Sequence, residues 1–377
     1  MGADMKSDPA NRTGALLEID LAGVAENWRL LRNKAAPADC AAVVKADAYG
    51  LGARQVGAAL AAAGCRRFFV ATLGEAIGLR AALPATCEIA VLNGPVRGSA
   101  EEFAEHRLVP VLNDPGQIED WRALGTRRGL PYPAMLQIDT GMARLGLTSR
   151  EFDGFVKVRS NSGTIGWQAL LSHLACADMP DHPLNEAQRM RFAAAHARLA
   201  GWPASLAASS GIFLGSPFHF DFVRPGAALY GVNPQPGTPN PMRQIVRLSA
   251  RILQIREVDA GQPVGYGAAH VMAAAGRLAT VAVGYADGWL RSSSHRGVGT
   301  IGGRGVPLLG RVSMDLAVFD VSDTDPGLAR PGGFIELLNE AHGVDAAAAE
   351  AGTIGYEVLT ALGRRYHRVY RGGPPEC

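Results

Sequence analysis

The alternation of short apolar runs with amphipathic stretches is the feature that most constrains the fold of this chain. From about residue 14 to residue 240, eight apolar runs are separated by segments with helical periodicity. The runs are AAVVK (41–45), RFFVAT (67–72), EIAVL (88–92), LVPVL (108–112), AMLQID (134–139), WQALLSH (167–173), ASLAAS (204–209) and FVRPGAALYG (222–231). Strand–helix alternation of this kind is typical of a parallel sheet, and eight units predict an N-terminal (β/α)₈ TIM barrel. A doubly wound sheet stays open as the alternative, because the ends of any one run are uncertain.

The sequence changes character after the Pro- and Gly-rich segment PQPGTPNP (234–241). Strand-like runs with turn residues between them then predict a mostly-β C-terminal domain. We therefore expect a barrel over 14–240 and a β-rich domain over 241–377. The run LLEIDL (16–21) is a further predicted strand that could pair with the second domain. A GxGxxG match, GVGTIG (297–302), lacks the strand–helix context of a dinucleotide site and is not expected to bind phosphate.

Composition excludes several classes of protein. The 377 residues carry a formal net charge of only +2, which favours neither a nucleic-acid nor a membrane partner. No stretch has the roughly 18 uncharged apolar residues of a membrane helix, and the polar N-terminus does not resemble a secretory signal. The cysteines show no CxxC pair or zinc motif, and they predict reduced thiols in a cytoplasmic protein without a metal site. The cysteines are Cys40, Cys65, Cys87, Cys176 and Cys377.

Polar residues occur at the carboxyl ends of five predicted strands, the place where barrel active sites lie. They are Lys45 and Tyr49 after the first strand, Asp139 and Arg144 after the fifth, His173 after the sixth, Ser209 and Ser210 after the seventh, and Arg224 after the eighth. Each residue alone has an ordinary structural explanation, such as a surface ion pair. Their coincidence at one end of the barrel predicts an active site.

A lysine at the end of a buried strand has a specific chemical use. Burial disfavours its charged form and lowers its pKa, which makes the amine nucleophilic. Such lysines form Schiff bases, for example with pyridoxal 5'-phosphate (PLP). The phosphate would need hydroxyl and backbone N–H donors, which Tyr49, Ser209, Ser210 and Gly226 could supply.

Eight segments in order resemble those of the alanine racemase family, which are PLP enzymes built from a barrel and a β-domain. The segments are AVVKADAYGLG, DTGMARLGL, SHLACAD, VRPGAALYG, VGYGA, VAVGYADG, GRVSMD and TIGYEV, and they span about residues 14–372. The resemblance implies that the chain is a PLP-dependent racemase that interconverts L- and D-alanine.

The resemblance also assigns roles to residues of the barrel. Lys45 matches the Schiff-base lysine, and Arg224 matches the arginine that faces the pyridine nitrogen. A guanidinium only donates, so it disfavours protonation of that nitrogen and side reactions such as transamination. His173 matches a residue that hydrogen-bonds this arginine. The residues that match the phosphate site are Tyr49, Ser210, Gly226, Ala227 and Tyr356.

Racemisation needs a base on each face of Cα. Lys45 matches one base, and Tyr266 of the β-domain matches the other, provided that nearby cations lower the tyrosine pKa from about 10. Arg144 matches the arginine near the substrate carboxylate. Met314, beside Asp315, and Tyr285 match residues of the substrate entry.

Three positions depart from the family pattern. Gln137 stands where the family often has a carbamylated lysine, so we expect the Gln137 amide or a bound chloride to lie against Arg144. Ser209 replaces an asparagine, and Ser313 replaces a cysteine beside Met314. A smaller, polar entry leaves a broader-specificity racemase, acting on serine for example, as an alternative to strict alanine specificity.

Other functions of related barrels are less compatible with the sequence. One alternative class keeps the fold and changes the reaction, as in PLP decarboxylases or D-threonine aldolases. Decarboxylases of this fold favour a carboxylate in place of Arg224. A non-catalytic PLP carrier has a barrel alone, whereas this sequence predicts a β-domain with Tyr266. The resemblance implies a homodimer in which each barrel mouth is closed by the partner's β-domain. Lys45 and Tyr266 of one site would then come from different chains.

Overall fold

The computed structural model describes residues 12–158 and 163–373, which form two compact units. One unit comprises Val24–Met242. The other combines the chain before Val24 with Arg243–Gly373.

The strands are numbered in chain order. They are β1 Ala15–Asp20, β2 Asp39–Cys40, β3 Ala42–Val43, β4 Arg67–Val70, β5 Glu88–Val91, β6 Val109–Leu112, β7 Tyr132–Gln137, β8 Ile165–Leu171, β9 Ala204–Ser205, β10 Phe222–Val223, β11 Val246–Val258, β12 Pro263–Val264, β13 His270–Val271, β14 Gly276–Val281, β15 Val298–Ile301, β16 Arg304–Leu309, β17 Ala317–Asp320, β18 Phe334–Leu338 and β19 His367–Arg371.

The helices are numbered in the same way. They are α1 Leu21–Ala35, α2 Lys45–Tyr49, α3 Ala53–Ala62, α4 Leu73–Arg80, α5 Ala100–Glu105, α6 Pro115–Arg128, α7 Ser149–Val158, α8 Pro183–Ala197, α9 Val344–Ala351 and α10 Gly355–Ala361.

The first unit is a closed parallel barrel. Strands β3 to β9 form one parallel sheet in chain order, and β10 pairs in parallel with β2. An Ala208–Arg224 bridge joins the β9 and β10 sides, and the Val43 N–H donates to the Pro225 carbonyl at 2.8 Å. Since β2 and β3 are consecutive parts of one segment, the ring has eight strands. The predicted (β/α)₈ barrel is confirmed.

Apolar side chains from successive strands fill the barrel. The cluster includes Val43, Phe69, Val111, Met135 and Phe222, each at most 7% exposed. Because all eight strands run in the same direction, the residues that follow them meet at one end of this core. The barrel therefore brings together the polar residues that come after the apolar runs.

The helix starts follow ordinary capping chemistry. Helix α4 begins with a capping box in which Thr72 and Glu75 bond each other's backbone N–H groups. Helix α6 begins after Asp114, which accepts from the Gln117 N–H, and it ends at Gly129 in the left-handed conformation. These signals fix where the chain leaves each strand and enters the next helix.

The second unit is built on an eight-stranded, mostly antiparallel sheet of order β14-β17-β16-β15-β18-β11-β1-β19. Strand β1 pairs antiparallel with β11 and parallel with β19, so residues 15–20 belong to this sheet. The GVGTIG segment contains β15, which forms a hairpin with β16. No helix follows it, in agreement with the sequence argument against a dinucleotide site. The predicted mostly-β C-terminal domain is confirmed.

Two features are absent from the described ranges. No helix within 12–158 or 163–373 is both long and apolar enough to cross a membrane. The same residues contain no cluster of three or more His, Cys, Asp or Glu side chains suited to a metal ion. Cys40, Cys65, Cys87 and Cys176 are free thiols, and Cys377 lies outside the described residues.

Candidate active site

The first strand of the barrel leads into α2, which begins at Lys45 and is a left-handed turn rather than an ordinary α-helix. Four consecutive non-glycine residues, 46–49, have φ between 53° and 56°. Left-handed helical residues cost about 1–2 kcal/mol each, so such a run needs compensating contacts. The Ala48 N–H donates to the Val44 carbonyl at 2.9 Å, and the Asp47 carboxylate accepts from the Ala53 N–H at 2.7 Å. Strain of this kind is typical of functional sites.

The pKa of Lys45 is lowered from its ordinary value. Desolvation is the larger cause and the Arg144 guanidinium is the second, while the Glu75 carboxylate acts in the opposite direction. A lowered pKa increases the neutral fraction of the amine. The Lys45 amine can therefore act as a nucleophile and as a base.

Arg224 is held rigidly beneath the barrel mouth. Its side chain is 4% exposed, and its two terminal nitrogens donate to Ser205 Oγ at 2.5 Å and to the Ser172 carbonyl at 2.6 Å. Desolvation lowers its pKa to about 10, so the guanidinium remains charged at neutral pH. A buried cation whose orientation is fixed in this way can direct its remaining N–H groups at a ring nitrogen.

His173 is neutral at physiological pH. Desolvation, followed by the positive charges of Arg224, Arg144 and Lys45, lowers its pKa to about 3. These electrostatic interactions bring together side chains from the ends of four barrel strands. Within the described residues, the hydrogen bonds of Arg224 go to Ser205 and Ser172 rather than to His173.

A glycine cradle follows the eighth strand. A Cβ atom on residue 226 would lie 2.4 Å from the Tyr49 hydroxyl oxygen, so only glycine fits at this position. Ser209 Oγ accepts from the N–H groups of Gly226 and Ala228 at 3.0 and 3.2 Å, which shapes the loop that contains Ala227. Ser210 begins the adjacent 3₁₀ turn. Hydroxyls and backbone N–H groups are the kinds of donor that the phosphate of PLP needs.

The loop after the fifth strand presents Arg144. Its base is fixed by Asp139, which accepts from the N–H groups of residues 141, 142 and 143 at 2.8–3.0 Å. Desolvation acts to raise the pKa of Asp139, but these three donors hold it below its ordinary value. Arg144, Gln137, Asp139 and His173 line one small pocket. The Arg144 guanidinium makes no hydrogen bond or ion pair with any residue of 12–158 or 163–373.

The second unit carries the other predicted site residues on its surface. They are Tyr266 at 70% exposure, Tyr285 at 42%, Met314 at 55% and Tyr356 at 40%. The Tyr285 N–H donates to the Ser313 carbonyl at 3.0 Å, and the Ala286 N–H donates to the Met314 carbonyl at 2.9 Å. The two predicted entry segments therefore lie side by side.

An ion-pair network braces these entry segments. Arg365 reaches Asp287 at 3.1 Å and Asp315 at 2.8 Å. Asp287 also accepts from the Gly284 N–H at 2.9 Å. Desolvation raises the pKa of this nearly buried carboxyl. The network fixes Tyr285 relative to Met314 within the unit.

Several residues that organise the site were not found from sequence. Ser172 and Ser205 hold Arg224, Glu75 contacts the turn after Lys45, and Arg311 lies against the turn that carries Tyr266. A Cβ on Gly267 would lie 3.2 Å from a terminal nitrogen of Arg311. The only sequence signal for Arg311 was its place in the segment GRVSMD. The only signal for Ser172 was its position directly before the predicted site residue His173.

Comparisons with known proteins agree with this arrangement. The family described as alanine racemase, N-terminal domain, matches residues 19–234, and the alanine racemase C-terminal domain matches residues 245–370. An alanine racemase of Rhodospirillum rubrum is 52% identical over 96% of this chain and 97% of its own length. A catabolic alanine racemase of Mesorhizobium japonicum is 48% identical, with 96% and 94% covered.

Solved structures give the same result. A crystal structure of alanine racemase from Bartonella henselae with covalently bound pyridoxal phosphate has a TM-score of 0.91 and 41% identity, covering 95% of this chain and 99% of that one. Alanine racemase from Streptomyces coelicolor has a TM-score of 0.90 and 34% identity, with 95% and 98% covered. With both family domains matched in order over nearly the whole length, the chain belongs to the alanine racemase family.

Proposed function

We propose that this chain interconverts L- and D-alanine, with Lys45 and Tyr266 as the two bases. The observation that carries this proposal is the setting of Lys45. Desolvation and the Arg144 charge lower its pKa at the mouth of a barrel whose other strand ends supply His173 and Arg224. Family membership supplies the reaction class, isomerisation at the α-carbon of an amino acid.

The cofactor of this family is PLP, and the residues of the barrel mouth fit it. PLP supplies an electron sink that makes the Cα proton of an attached amino acid acidic. Lys45 would hold the cofactor covalently. The phosphate would lie in the cradle of Tyr49, Ser210, Gly226 and Ala227, with Tyr356 as a further hydroxyl donor.

Arg224 would face the pyridine nitrogen. Because Ser205 and Ser172 fix two of its N–H groups, the remaining N–H groups have a defined direction. The guanidinium keeps its proton at neutral pH, so it donates to the ring nitrogen rather than accepting from it. This arrangement favours simple proton return at Cα over transamination.

The two bases act on opposite faces of Cα. In one direction the neutral Lys45 amine takes a proton from one face and becomes an ammonium, while the Tyr266 hydroxyl gives a proton to the other face and becomes a phenolate. In the reverse direction the Tyr266 phenolate takes the proton and the Lys45 ammonium gives one back, so both groups return to their starting state. The 70% exposure of Tyr266 leaves its hydroxyl available to a site outside its own unit. Met314 and Tyr285 would form the route by which alanine enters.

Arg144 would bind the substrate carboxylate. The family's carbamylated lysine is replaced by Gln137, which cannot supply a negative charge. We propose that chloride occupies the pocket that Gln137 and Arg144 share, because that pocket otherwise holds an unpaired guanidinium among the described residues. Chloride would hold Arg144 in place for the substrate.

The assembled enzyme would be a homodimer with shared sites. Tyr266, Tyr285, Met314 and Tyr356 are four large side chains exposed on one unit, as expected of residues that meet another surface. In a two-fold dimer, the β-domain of each chain would complete the barrel mouth of its partner. Each site would then combine Lys45 of one chain with Tyr266 of the other. The free thiols support a cytoplasmic location for this dimer.

A chiral assay of the purified protein tests the function. With PLP present, L-alanine and D-alanine should each reach the same equal mixture, and Lys45→Ala should abolish the conversion. Serine is the informative second substrate, because Ser313 leaves a smaller, more polar entry. Serine turnover comparable to alanine turnover would establish the broader-specificity alternative. An absence of racemisation of any amino acid by the PLP-loaded protein would refute the proposal.

A further inference from the structure

Glu75 joins the turn after Lys45 to the neighbouring strand. Its Oε1 atom accepts from the Ala46 N–H at 2.7 Å. Its Oε2 atom accepts from the N–H groups of Ala71 and Thr72 at 2.8 and 3.2 Å. One carboxylate, 29 positions after Ala46, therefore connects the residue after Lys45 to the two residues that follow β4.

The contact falls on the first residue of the left-handed turn. Ala46 has φ 53°, a conformation that an alanine rarely adopts without support. A hydrogen bond to a carboxylate is stronger than one to a neutral acceptor, and this one fixes the peptide group that links Lys45 to the turn. The direction in which the Lys45 side chain leaves the backbone depends on that peptide.

Only a carboxylate satisfies all three donors. Each Glu75 oxygen faces backbone N–H groups, so an amide in its place would turn an NH₂ group toward an N–H donor on one side. The negative charge of Glu75 also acts to raise the pKa of Lys45, against desolvation and the positive charge of Arg144, which lower it. Glu75 therefore acts on Lys45 in two ways, through its hydrogen bond to the Ala46 N–H and through its negative charge.

We propose that Glu75 is a positioning residue for Lys45, which it orients by clamping the left-handed turn to the β4–α4 junction. The proposal rests on the catalytic role of Lys45 given above. It extends that role to a residue whose carboxylate is bonded to backbone N–H groups of the barrel.

The chain offers a matched control for the capping function of Glu75. Glu151 forms the same kind of capping interaction with Thr148 at the start of α7, with a Thr148 N–H contact of 2.9 Å. Among the described residues, its carboxylate accepts hydrogen bonds only from Thr148. Glu151→Gln therefore measures the loss of a helix cap alone. Thr72→Ala removes the capping hydroxyl at α4 but leaves the Glu75–Ala46 hydrogen bond intact.

The experiment compares Glu75→Gln, Glu151→Gln and Thr72→Ala with wild type and Lys45→Ala. The readouts are kcat and KM for L-alanine, the visible circular dichroism of the bound cofactor, and the Tm of the PLP-free protein. Glu75→Gln should lower kcat at least about tenfold with KM changed less than about twofold, because Lys45 is misplaced while substrate contacts remain. It should also change the visible circular dichroism. The two controls should lower Tm similarly and leave kcat and the dichroism near wild type.

The outcomes separate this proposal from the proposed function. A Glu75→Gln kcat equal to that of Glu151→Gln would overturn the positioning role, and so would an equal loss in Thr72→Ala. Full activity of Lys45→Ala would instead refute the proposed function. If Glu75→Gln does not fold, Glu75→Ala, in which water can reach the donors, takes its place with the same expected result. If no substitution at position 75 folds while both controls do, Glu75 is a folding residue and the proposal is wrong.

Discussion

The hydroxyl oxygen of Tyr49 lies 2.4 Å from the position that a Cβ atom on residue 226 would occupy. Two loops, after the first and eighth strands of the barrel, therefore approach each other at a distance that only glycine permits. Apart from Tyr49, the side-chain atom nearest to that Cβ position is Cβ of Val43, at 3.3 Å. Residue 226 therefore has little room to shift. The proposed phosphate cradle depends on this close approach.

Gly226→Ala should weaken both folding and cofactor binding. The added methyl group must displace Tyr49, at a cost of about 1–3 kcal/mol for overpacking. Urea unfolding of the PLP-free protein measures the loss, and a PLP titration measures the affinity. Gly154→Ala is the control, because a Cβ there meets nothing within 4 Å, and replacing a helical glycine by alanine stabilises by about 0.5–1 kcal/mol. Unchanged PLP affinity in Gly226→Ala would contradict the cradle.

Arg224→Glu should raise transamination relative to racemisation. A carboxylate would favour a protonated pyridine nitrogen, which the wild-type guanidinium disfavours. Pyruvate formation per racemisation event, measured with alanine and PLP, gives the partition, and circular dichroism first establishes that the variant folds. A ratio of pyruvate formation to racemisation equal to that of wild type would contradict the role proposed for Arg224.

The sequence predicted the barrel and most strand-end residues, because both depend on local patterns. Apolar periodicity identified the strands, and parallel topology then placed Lys45, His173 and Arg224 at one end. Contacts between distant segments were not predictable in this way. The Ser205–Arg224 hydrogen bond joins the ends of two strands whose relative register is set only by the closed barrel.

The left-handed turn after Lys45 was also beyond local prediction. Alanine and tyrosine rarely adopt that conformation, and aspartate adopts it only as an isolated residue, so residues 46–49 carry no propensity signal for a run of four. Tertiary contacts, such as that of Glu75 with Ala46, determine the conformation instead. The departure from local preference occurs at the residue next to the proposed catalytic lysine.

Chloride should support activity through Gln137 and Arg144. Replacement of chloride by gluconate at constant ionic strength should raise KM for alanine, because Arg144 loses its brace. Gln137→Ala should weaken this chloride response, as measured by KM over a chloride titration. Indifference of both proteins to chloride, or electron density for a modified lysine against Arg144, would contradict the prediction.

The pair of His342 and Glu350 should make the stability of the second unit depend on pH. His342 Nε2 lies 2.8 Å from Glu350 Oε1, and Nδ1 lies 3.0 Å from the Leu337 carbonyl, so a protonated ring donates to both. The hydrogen bond to Glu350 raises the pKa of His342 above its ordinary value of 6.5, although desolvation acts to lower it. The pair therefore stabilises the fold fully below about pH 6.5, and this contribution is lost as pH rises through the folded-state pKa.

His342→Gln tests that dependence. The urea midpoint of wild type should exceed that of the variant most below pH 6.5, the ordinary histidine pKa, and the difference should shrink as the pH increases. If the difference between the two urea midpoints does not change with pH, the ionised His342–Glu350 pair does not contribute to the stability of the fold.

Co-expression of Lys45→Ala with Tyr266→Ala tests most directly the central claim, that each site combines these two bases from different chains. Each variant alone should be nearly inactive. A mixed dimer would have one site that lacks both bases and one that is intact. With random pairing, half of the dimers are mixed, so about a quarter of wild-type racemase activity should return. No recovery of activity in a preparation shown by mass spectrometry to contain mixed dimers would contradict the shared site.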